Sequence, residues 1–485
     1  MEGKNLFIFG IVLVLGVLIG AGLFLFLSPK NPIPGTTTTP IGGVNVVSTN
    51  LNQFSSYADL KNFLKQKGSS TSYGGSSQGT IASALDSIGM ITEKSMVNAP
   101  IAQGGGGASD YSQTNVQVAG VDEPDITKND GKYIYTISGN KIVILEAYPA
   151  ENMKIVGEIK NLTGVRNIFV NGDKLVVFLG VYNYLPYSEL RCLGSEYCGG
   201  DSTQFTNVFV YNIKDRTSPE IEQNLSIEGN YNDARMIGDY VYLVSQKYLN
   251  DYEPDFPVYM INGVERSFEI DKLYYFNQPE DSHIFTSVSS VNVKNGNFDS
   301  KIFLTGYTGT VYSSENNIYL TSNKYLDYDD YKLKIIKEAV LPTLPESEKS
   351  KVQEVLNSDK DSYKKFNDIG KIVESYANSL PEAEKLRYIN NTLEIIQDYK
   401  IILEKERVKT VVHKISLDKG NIKYESSGEV PGTVLNQFSM DEYGGKFRIA
   451  TTVGQNWWWS RGVNSTNSVY VLDSDMKVTG KLEGL

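Results

Sequence analysis

The chain has 485 residues, a net charge of −11 and 40% hydrophobic residues. That apolar content excludes a disordered polymer, and the absence of a Lys/Arg-rich stripe from an acidic chain excludes the basic face that a nucleic-acid partner requires. Its 32 Tyr and 43 Gly favour short strands joined by tight turns, so we expect a mainly β protein.

The N-terminal segment predicts a membrane anchor. An unbroken run of apolar residues and glycines extends from Leu6 to Leu27. About 20 such residues cross a bilayer, whereas the core of a signal peptide needs only about 7 to 15. We therefore predict a transmembrane signal anchor at 1–28, with the rest of the chain outside the cell. A cleaved signal peptide is the alternative.

Residues 29–110 predict a stalk and flexible linker. The stretch from Pro29 to Pro40 is rich in Pro and Thr, and the stretch from Ser69 is rich in Gly and Ser. Both compositions are typical of chain that forms no packed core. Between them, apolar residues at helical spacing predict a short amphipathic helix at 54–67.

Two further features fit an external location. The only cysteines, Cys192 and Cys198, lie close together in sequence, and outside the cell they are expected to form a disulfide; two free thiols or half of a metal site are the alternatives. N-glycosylation sequons, each a weak signal by itself, begin at Asn161, Asn224, Asn390 and Asn464.

A unit of four strands recurs five times from Asp125 onward. Turns such as 129–131, 171–173 and 238–239 separate short runs of β-branched and aromatic residues, which is a strong hairpin signal. The predicted strands are 132–137, 141–145 and 155–159; 167–170, 174–179, 207–213 and 220–227; 234–237, 240–244, 286–293 and 301–305; 310–313, 318–321, 411–417 and 422–430; and 438–443, 446–451, 468–472 and 477–482. Such sheets bury both faces only by packing on one another, so we predict a β-propeller; a β-sandwich is the alternative.

Specific stretches also carry a family resemblance: 114–123 (TNVQVAGVDE), 130–135 (DGKYIY), and 428–432 (GEVPG) with 435–442 (LNQFSMDE). In these the chain resembles secreted, mostly archaeal proteins with a C-terminal β-propeller distantly related to WD40 repeats. The resemblance covers about Asp110 to the C-terminus. It implies a cell-surface propeller at 111–485 and carries no catalytic residues. Members of that family continue with further blades, so we expect about five blades of an incomplete ring.

The connections between the second and third strands are long in four of the five units, at 180–206, 245–285, 322–410 and 454–467. In a propeller these connections share one face, and long loops inside a compact domain are usually functional. We therefore predict a functional long-loop face, with neutral decoration as the alternative.

The third of these connections contains a predicted helical insertion at 327–408. Apolar residues recur at helical spacing through 366–376 and 386–403, and a further helix is expected at 346–356. The insertion either caps the long-loop face or forms a self-contained helical unit beside it. The sequence leaves both alternatives open.

The candidate ligand-binding residues lie in two of the long connections. Three consecutive tryptophans cannot all point inward, so Trp457, Trp458 and Trp459, followed by Arg461, predict an exposed stacking surface; packing beneath the helices is the alternative. In another connection, Tyr252 and Asp255 accompany the further acidic and aromatic residues Tyr248, Asp251, Glu253 and Tyr259. This loop lacks the Gly and Glu of a calcium-binding EF-hand, so no metal is predicted.

The sequence contains no catalytic motif, and we predict no catalytic residue and no cofactor. His283 and His413 are interpreted as structural, and Asp122, Glu123 and Asp125 as residues that cap turns or fix the start of the ring. The preferred hypothesis is a membrane-anchored extracellular propeller that binds an envelope protein, peptide or glycan through its long-loop face. The alternatives are a surface hydrolase or lyase that uses loop carboxylates, and a structural component of the cell envelope.

Overall fold

A computed structural model describes residues 51–68, 116–185, 201–249, 256–276, 284–326, 328–454 and 465–485. The predicted anchor at 1–28, most of the predicted linker, and both cysteines fall outside these ranges. Within them, none of the helices combines the length and the apolar character needed to cross a bilayer.

Two short segments precede the repeated sheets. The first comprises strand β1 (Leu51–Gln53) and helix α1 (Tyr57–Gly68), which occupies most of the predicted helix at 54–67. The second is the two-residue strand β2 (Val121–Asp122). Phe54 and Leu60 are buried against the sheets, so this helix is docked onto the domain.

Sheets 1 and 2 each contain four consecutive antiparallel strands. Sheet 1 consists of β3 (Thr127–Asn129), β4 (Tyr133–Ser138), β5 (Lys141–Glu146) and β6 (Lys154–Ile159). The four strands of sheet 2 are β7 (Val165–Asn171), β8 (Lys174–Leu185), β9 (Asp201–Asn212) and β10 (Glu220–Glu228). Gly172 closes the turn between β7 and β8 at φ 58°, a conformation that side chains disfavour.

Sheet 3 is larger than the predicted unit. Its four repeated strands are β11 (Asn230–Ile237), β12 (Tyr240–Tyr248), β16 (Ile284–Asn292) and β17 (Phe298–Thr305). The long connection between β12 and β16 contains three more strands, of which the last joins sheet 3: β13 (Val258–Ile261), β14 (Val264–Ser267) and β15 (Leu273–Phe276). Strands β2 and β1 extend sheet 3 to seven strands, and the hairpin β13–β14 extends sheet 2 to six.

The long connection between β12 and β16 therefore departs from the expected loop on one face. In the part that the structure describes, β13 pairs with β10 and β15 pairs in parallel with β17, so both run along the outer edges of sheets 2 and 3. An edge strand leaves a row of backbone N–H and C=O groups unpaired, and this connection satisfies them. For this segment, the prediction that the long connections lie on one face is therefore wrong.

Sheets 4 and 5 are again four-stranded. Sheet 4 consists of β18 (Thr308–Ser313), β19 (Asn317–Tyr325), β20 (Val408–Asp418) and β21 (Asn421–Pro431). Sheet 5 consists of β22 (Met440–Tyr443), β23 (Lys446–Val453), β24 (Thr466–Leu472) and β25 (Val478–Glu483). Short 3₁₀ turns occur at Ala150–Asn152, Ile270–Lys272 and Gln437–Ser439.

The insertion between β19 and β20 is helical. It contains α2 (Tyr328–Ile335), which continues through a π-helical turn at Ile336–Val340 and a 3₁₀ turn at Leu341–Thr343, then α3 (Glu346–Asn357), α4 (Ser362–Ser379) and α5 (Glu382–Arg407). Its apolar core draws only on residues 326–403, with Ile369 and Leu403 fully buried. The geometry therefore fits a self-contained unit beside the sheets, tied to sheet 5 by an ion pair of 3.3 Å between Lys405 and Glu483.

Four apolar cores hold the sheets together, each between two consecutive sheets. Side chains such as Tyr135 and Leu175 fill the core between sheets 1 and 2, and Phe178 and Leu243 that between sheets 2 and 3. Two similar cores join sheet 3 to sheet 4 and sheet 4 to sheet 5. The prediction of a mainly β chain built from four-stranded antiparallel sheets with a helical insertion is confirmed.

Candidate ligand-binding face

Sheets 2 to 5 each present a long connection, and all four connections leave at the same end. Gly229 alone separates β10 from β11, and two residues separate β17 from β18, so each first strand begins where the preceding fourth strand ends. In an antiparallel sheet the connection between the second and third strands leaves from that same end. We call this end, where the connections after β8, β12, β19 and β23 leave, the connection face.

Exposed aromatic side chains mark the connection face. Tyr248 at the end of β12 and Tyr307 before β18 stack with ring centroids 6.5 Å apart and planes 21° apart, and both are about half exposed. Tyr182, Tyr325 and Phe438, from sheets 2, 4 and 5, are also exposed at this end. Partial burial and the neighbouring Tyr307 raise the pKa of Tyr248 above its ordinary value.

The predicted ligand-binding residues Trp457, Trp458, Trp459, Arg461, Tyr252 and Asp255 lie outside the described ranges, as does His283. The strands that precede them are described: β12 ends at Tyr248 and β23 ends at Val453, both at the connection face. Tyr259, expected in the same loop as Tyr252, instead lies in β13. Its ring packs against those of Phe268 and Phe298, with centroids 4.8 and 5.1 Å away.

The predicted glycosylation positions differ in accessibility. Asn161 and Asn390 are exposed, the former after β6 and the latter on α5. Asn224 is half-buried in β10, where its carbonyl accepts a hydrogen bond of 2.8 Å from the backbone N–H of Asn262 in the β13–β14 turn. Asn464 and the cysteines Cys192 and Cys198 are outside the described ranges.

Residues 116–125, which we call the axial segment, cross the first strands of several sheets. The Gln117 side chain donates to the carbonyls of Gln437 and Met440 in sheet 5, at 3.0 and 2.9 Å. Strand β2 then pairs with β11 of sheet 3, and Asp125 exchanges backbone hydrogen bonds with Ile168 of sheet 2. The axial segment therefore links sheets 5, 3 and 2 at or beside their first strands.

Acidic residues of the axial segment are paired with cations or amides. Glu123 accepts from the side chain of Gln437 at 3.1 Å, and Asp122 forms an ion pair of 2.7 Å with Lys128. Burial raises the pKa of Asp122 against the opposing effect of Lys128. These contacts hold the axial segment in place. That Asp122, Glu123 and Asp125 cap turns or fix the start of a ring stays a prediction.

A second polar group lies beside the axial segment on β11. Asp233 forms an ion pair of 2.6 Å with Arg235, and Arg235 also donates to the Gln437 side chain at 2.6 Å. Burial is the main cause of the raised pKa of Asp233. The sequence analysis did not single out these residues, because their neighbours in space come from three different sheets.

Neither metal binding nor histidine chemistry finds support in the part of the chain that the structure describes. There, three or more His, Cys, Asp or Glu side chains never converge as a metal site would require. His413 lies buried on β20, with its Nδ1 atom 3.4 Å from the hydroxyl of Tyr424. Burial lowers the pKa of His413 to about 4, so its ring is neutral at pH 7.

Comparison with known proteins adds a family assignment. A family model described as "Beta propeller domain" matches residues 111–485. An uncharacterized protein of Methanocaldococcus jannaschii is 30% identical over 388 residues, which cover 77% of this chain and 54% of that protein. An uncharacterized protein of Archaeoglobus fulgidus is 30% identical over 393 residues, covering 77% of this chain and 56% of that protein. The chain thus spans about half the length of these relatives.

Proposed function

The chain belongs to the beta propeller domain family, and on that premise we propose that it is an extracellular binding protein whose connection face holds an envelope protein, peptide or glycan. In this proposal residues 1–28 anchor the chain in the membrane and residues 29–110 hold the propeller away from it. The role is one of recognition, with no reaction assigned to the face.

We also propose that the five sheets are consecutive blades of a larger ring. The supporting observation is that each apolar core joins one sheet only to the next, from sheet 1 through sheet 5. The axial segment, which contacts sheets 5, 3 and 2 at or beside their first strands, occupies the position of the central axis in such a ring.

The stacked pair of Tyr248 and Tyr307 carries the proposal. Large aromatic side chains are normally buried, because covering their apolar area is favourable by roughly 2 to 3 kcal/mol each. Exposed aromatic residues from four successive sheets therefore leave an uncompensated apolar surface at one end of the domain. Tyrosine combines a flat apolar ring with a hydroxyl, which suits contact with sugars and peptides.

A binding experiment tests this role directly. Full-length protein in detergent is titrated onto envelope fractions of the producing cells, alongside the double variant Tyr248→Ala/Tyr307→Ala. We expect at least a 10-fold loss of apparent affinity, since truncating a central aromatic anchor commonly removes 1.4 kcal/mol or more.

The matched control is Tyr443→Ala. Tyr443 is also strongly exposed but is the last residue of β22, beside the turn to β23, at the opposite end of sheet 5. Its variant is expected to bind like the unmodified protein. Equal binding by all three proteins would contradict the assignment of the connection face.

A further inference from the structure

Sheets 2 and 3 face each other above their shared apolar core, towards the connection face, and we call the space between them the cleft. Phe178 and Val208 point into the core between these sheets, so Gly180 and Gln204, an even number of residues further along β8 and β9, face the same side. On sheet 3, Leu243 points into that core from β12, which places Ser245 on the same side. The cleft is therefore lined by both sheets above their shared core.

Two hydroxyl groups in the cleft are buried without a partner. Tyr231 on β11 packs its ring 5.5 Å from that of Phe178, and it lies directly opposite Ser245 in the strand pairing. Within the described chain, neither the Tyr231 hydroxyl nor Ser245 Oγ makes a hydrogen bond, and Ser245 is only 1% exposed. An unpaired buried hydroxyl is energetically unfavourable, so a ligand or a water molecule commonly satisfies such a group.

Arg166 places a positive charge at the mouth of the cleft. A Cβ atom built on Gly180 would lie 3.2 Å from both Arg166 Nε and Gln204 Nε2, so these two donors converge over a residue without a side chain. Gly180 has no left-handed backbone to explain its identity, and its absent side chain leaves room. Arg166 is exposed, and within the described residues it pairs with none of the carboxylates.

The donor set selects an acidic ligand. Burial keeps the pKa of Tyr231 well above its ordinary value, so its hydroxyl stays protonated and can donate. Arg166 offers the planar fork that binds a carboxylate in bidentate fashion. Because the chain has a net charge of −11, a ligand with several phosphates is disfavoured.

The remaining groups favour a sugar over a peptide. The exposed ring of Tyr182 lies two residues beyond Gly180 on the same side of β8 and can stack on a pyranose face. The hydroxyls of Tyr231 and Ser245 and the amide of Gln204 match the dense hydroxyl groups of a saccharide. We propose that this cleft binds a uronic-acid unit of an acidic glycan, with its carboxylate on Arg166. This inference rests on the proposed binding role of the connection face.

Calorimetric titration of the full-length protein with tetragalacturonate tests the inference, with the fully methyl-esterified tetrasaccharide as the uncharged comparison. We expect the free acid to bind at least 10-fold more tightly, because the charge-assisted hydrogen bonds between Arg166 and a carboxylate are stronger than those to a neutral ester. Arg166→Gln should abolish that preference, and Gly180→Ala should weaken binding because the new methyl group fills the cleft.

The control variant is Arg266→Gln, which removes an exposed arginine from β14 on the outer edge of sheet 2. It should bind the acid like the unmodified protein. An unchanged melting temperature for Arg166→Gln would show that the loss of binding is local. Equal binding of acid and ester, or retained preference in Arg166→Gln, would overturn the inference.

The outcome is separable from that of the proposed function. Loss of envelope binding in the Tyr248/Tyr307 variant, combined with failure to bind tetragalacturonate, would refute the uronic-acid site and leave the binding face intact. Tetragalacturonate binding that depends on Arg166, with envelope binding indifferent to Tyr248 and Tyr307, would support the cleft and refute the tyrosine face. Preferential binding of a Glu-rich peptide over tetragalacturonate would overturn the choice of a saccharide.

Discussion

Gly428 on β21 lies directly beneath the backbone carbonyl of Met476, in the turn between β24 and β25, so that a Cβ atom on Gly428 would overlap that oxygen. Gly157 on β6 stands in the same relation to the carbonyl of Arg216, in the turn between β9 and β10. In both cases the fourth strand of one sheet meets the last turn of the next. The repeated contact sets how closely consecutive sheets approach.

This contact predicts a strong effect of one added methyl group. Gly428→Ala forces a backbone carbonyl to move, and we expect a loss of about 1 to 3 kcal/mol in the free energy of unfolding. The control is Gly480→Ala on β25, where a Cβ would make ordinary contact at 3.6 Å with Val471. Urea unfolding followed by circular dichroism measures both. Equal midpoints for the two variants would contradict the close approach.

Sheets 2 and 3 are also joined by a buried ion pair. Lys247 Nζ lies 2.7 Å from Glu228 Oε1, with the two side chains 8% and 0% exposed, and Glu228 additionally accepts from the backbone N–H of Val258. Glu228→Gln removes this carboxylate charge from beside the buried ammonium group. We expect a destabilisation of about 3 to 5 kcal/mol in urea unfolding.

The double variant Glu228→Met/Lys247→Met provides the comparison. Replacing a buried ion pair by apolar side chains of similar volume is often close to neutral, so most of the lost stability should return. A double variant as unstable as Glu228→Gln would mean that packing or the bond to Val258, and not the charge, dominates at this position.

His413 predicts an acid-dependent loss of stability. In the folded protein its pKa of about 4 lies below the ordinary value of 6.5. Above pH 6.5 the ring is therefore mainly neutral in both the folded protein and the unfolded chain. As the pH falls from about 6.5 towards 4, the unfolded chain takes up a proton that the folded protein does not, and stability declines by about 1.4 kcal/mol per unit.

The test compares the unmodified protein with His413→Gln. Between pH 7 and pH 5 the unmodified protein should lose about 2 kcal/mol more than the variant, because the unfolded imidazole titrates over about 1.5 units of that window. Other groups are common to both proteins and cancel in the difference. Parallel stability curves would contradict a depressed pKa for His413.

A pair of variants in α1 tests whether this helix is docked on the sheets. Leu60 is fully buried against the core of sheets 2 and 3, and the Tyr57 hydroxyl donates to the carbonyl of Phe268 at 2.9 Å. Leu60→Ala should cost about 2 to 5 kcal/mol of local or global stability, whereas Asn62→Ala on the exposed side should be neutral. Hydrogen exchange of the α1 amides distinguishes the two variants, and equal protection in both would refute docking.

Local signals in the sequence determined most of the repeated strands and the helices of the insertion. A turn such as Gly238-Asp239 closes its hairpin through hydrogen bonds between residues that are close in the chain. The four-residue spacing of Ile369 and Val373 places both side chains on one face of their helix. The alternation of apolar residues likewise specified four-stranded sheets. These features depend on contacts within a few residues, so the sequence alone can reveal them.

Only the tertiary structure decided which strands cover the outer edges of sheets 2 and 3 and which side chains meet between these sheets. The strands β13 and β15 pair with β10 and β17 because those edges have unpaired backbone groups, a property of the partner that the short strands do not encode. Likewise Arg166, Tyr231 and Ser245 approach one cleft from two sheets. Their convergence depends on how the sheets pack, because no local pattern fixes the distance between side chains so far apart in the chain.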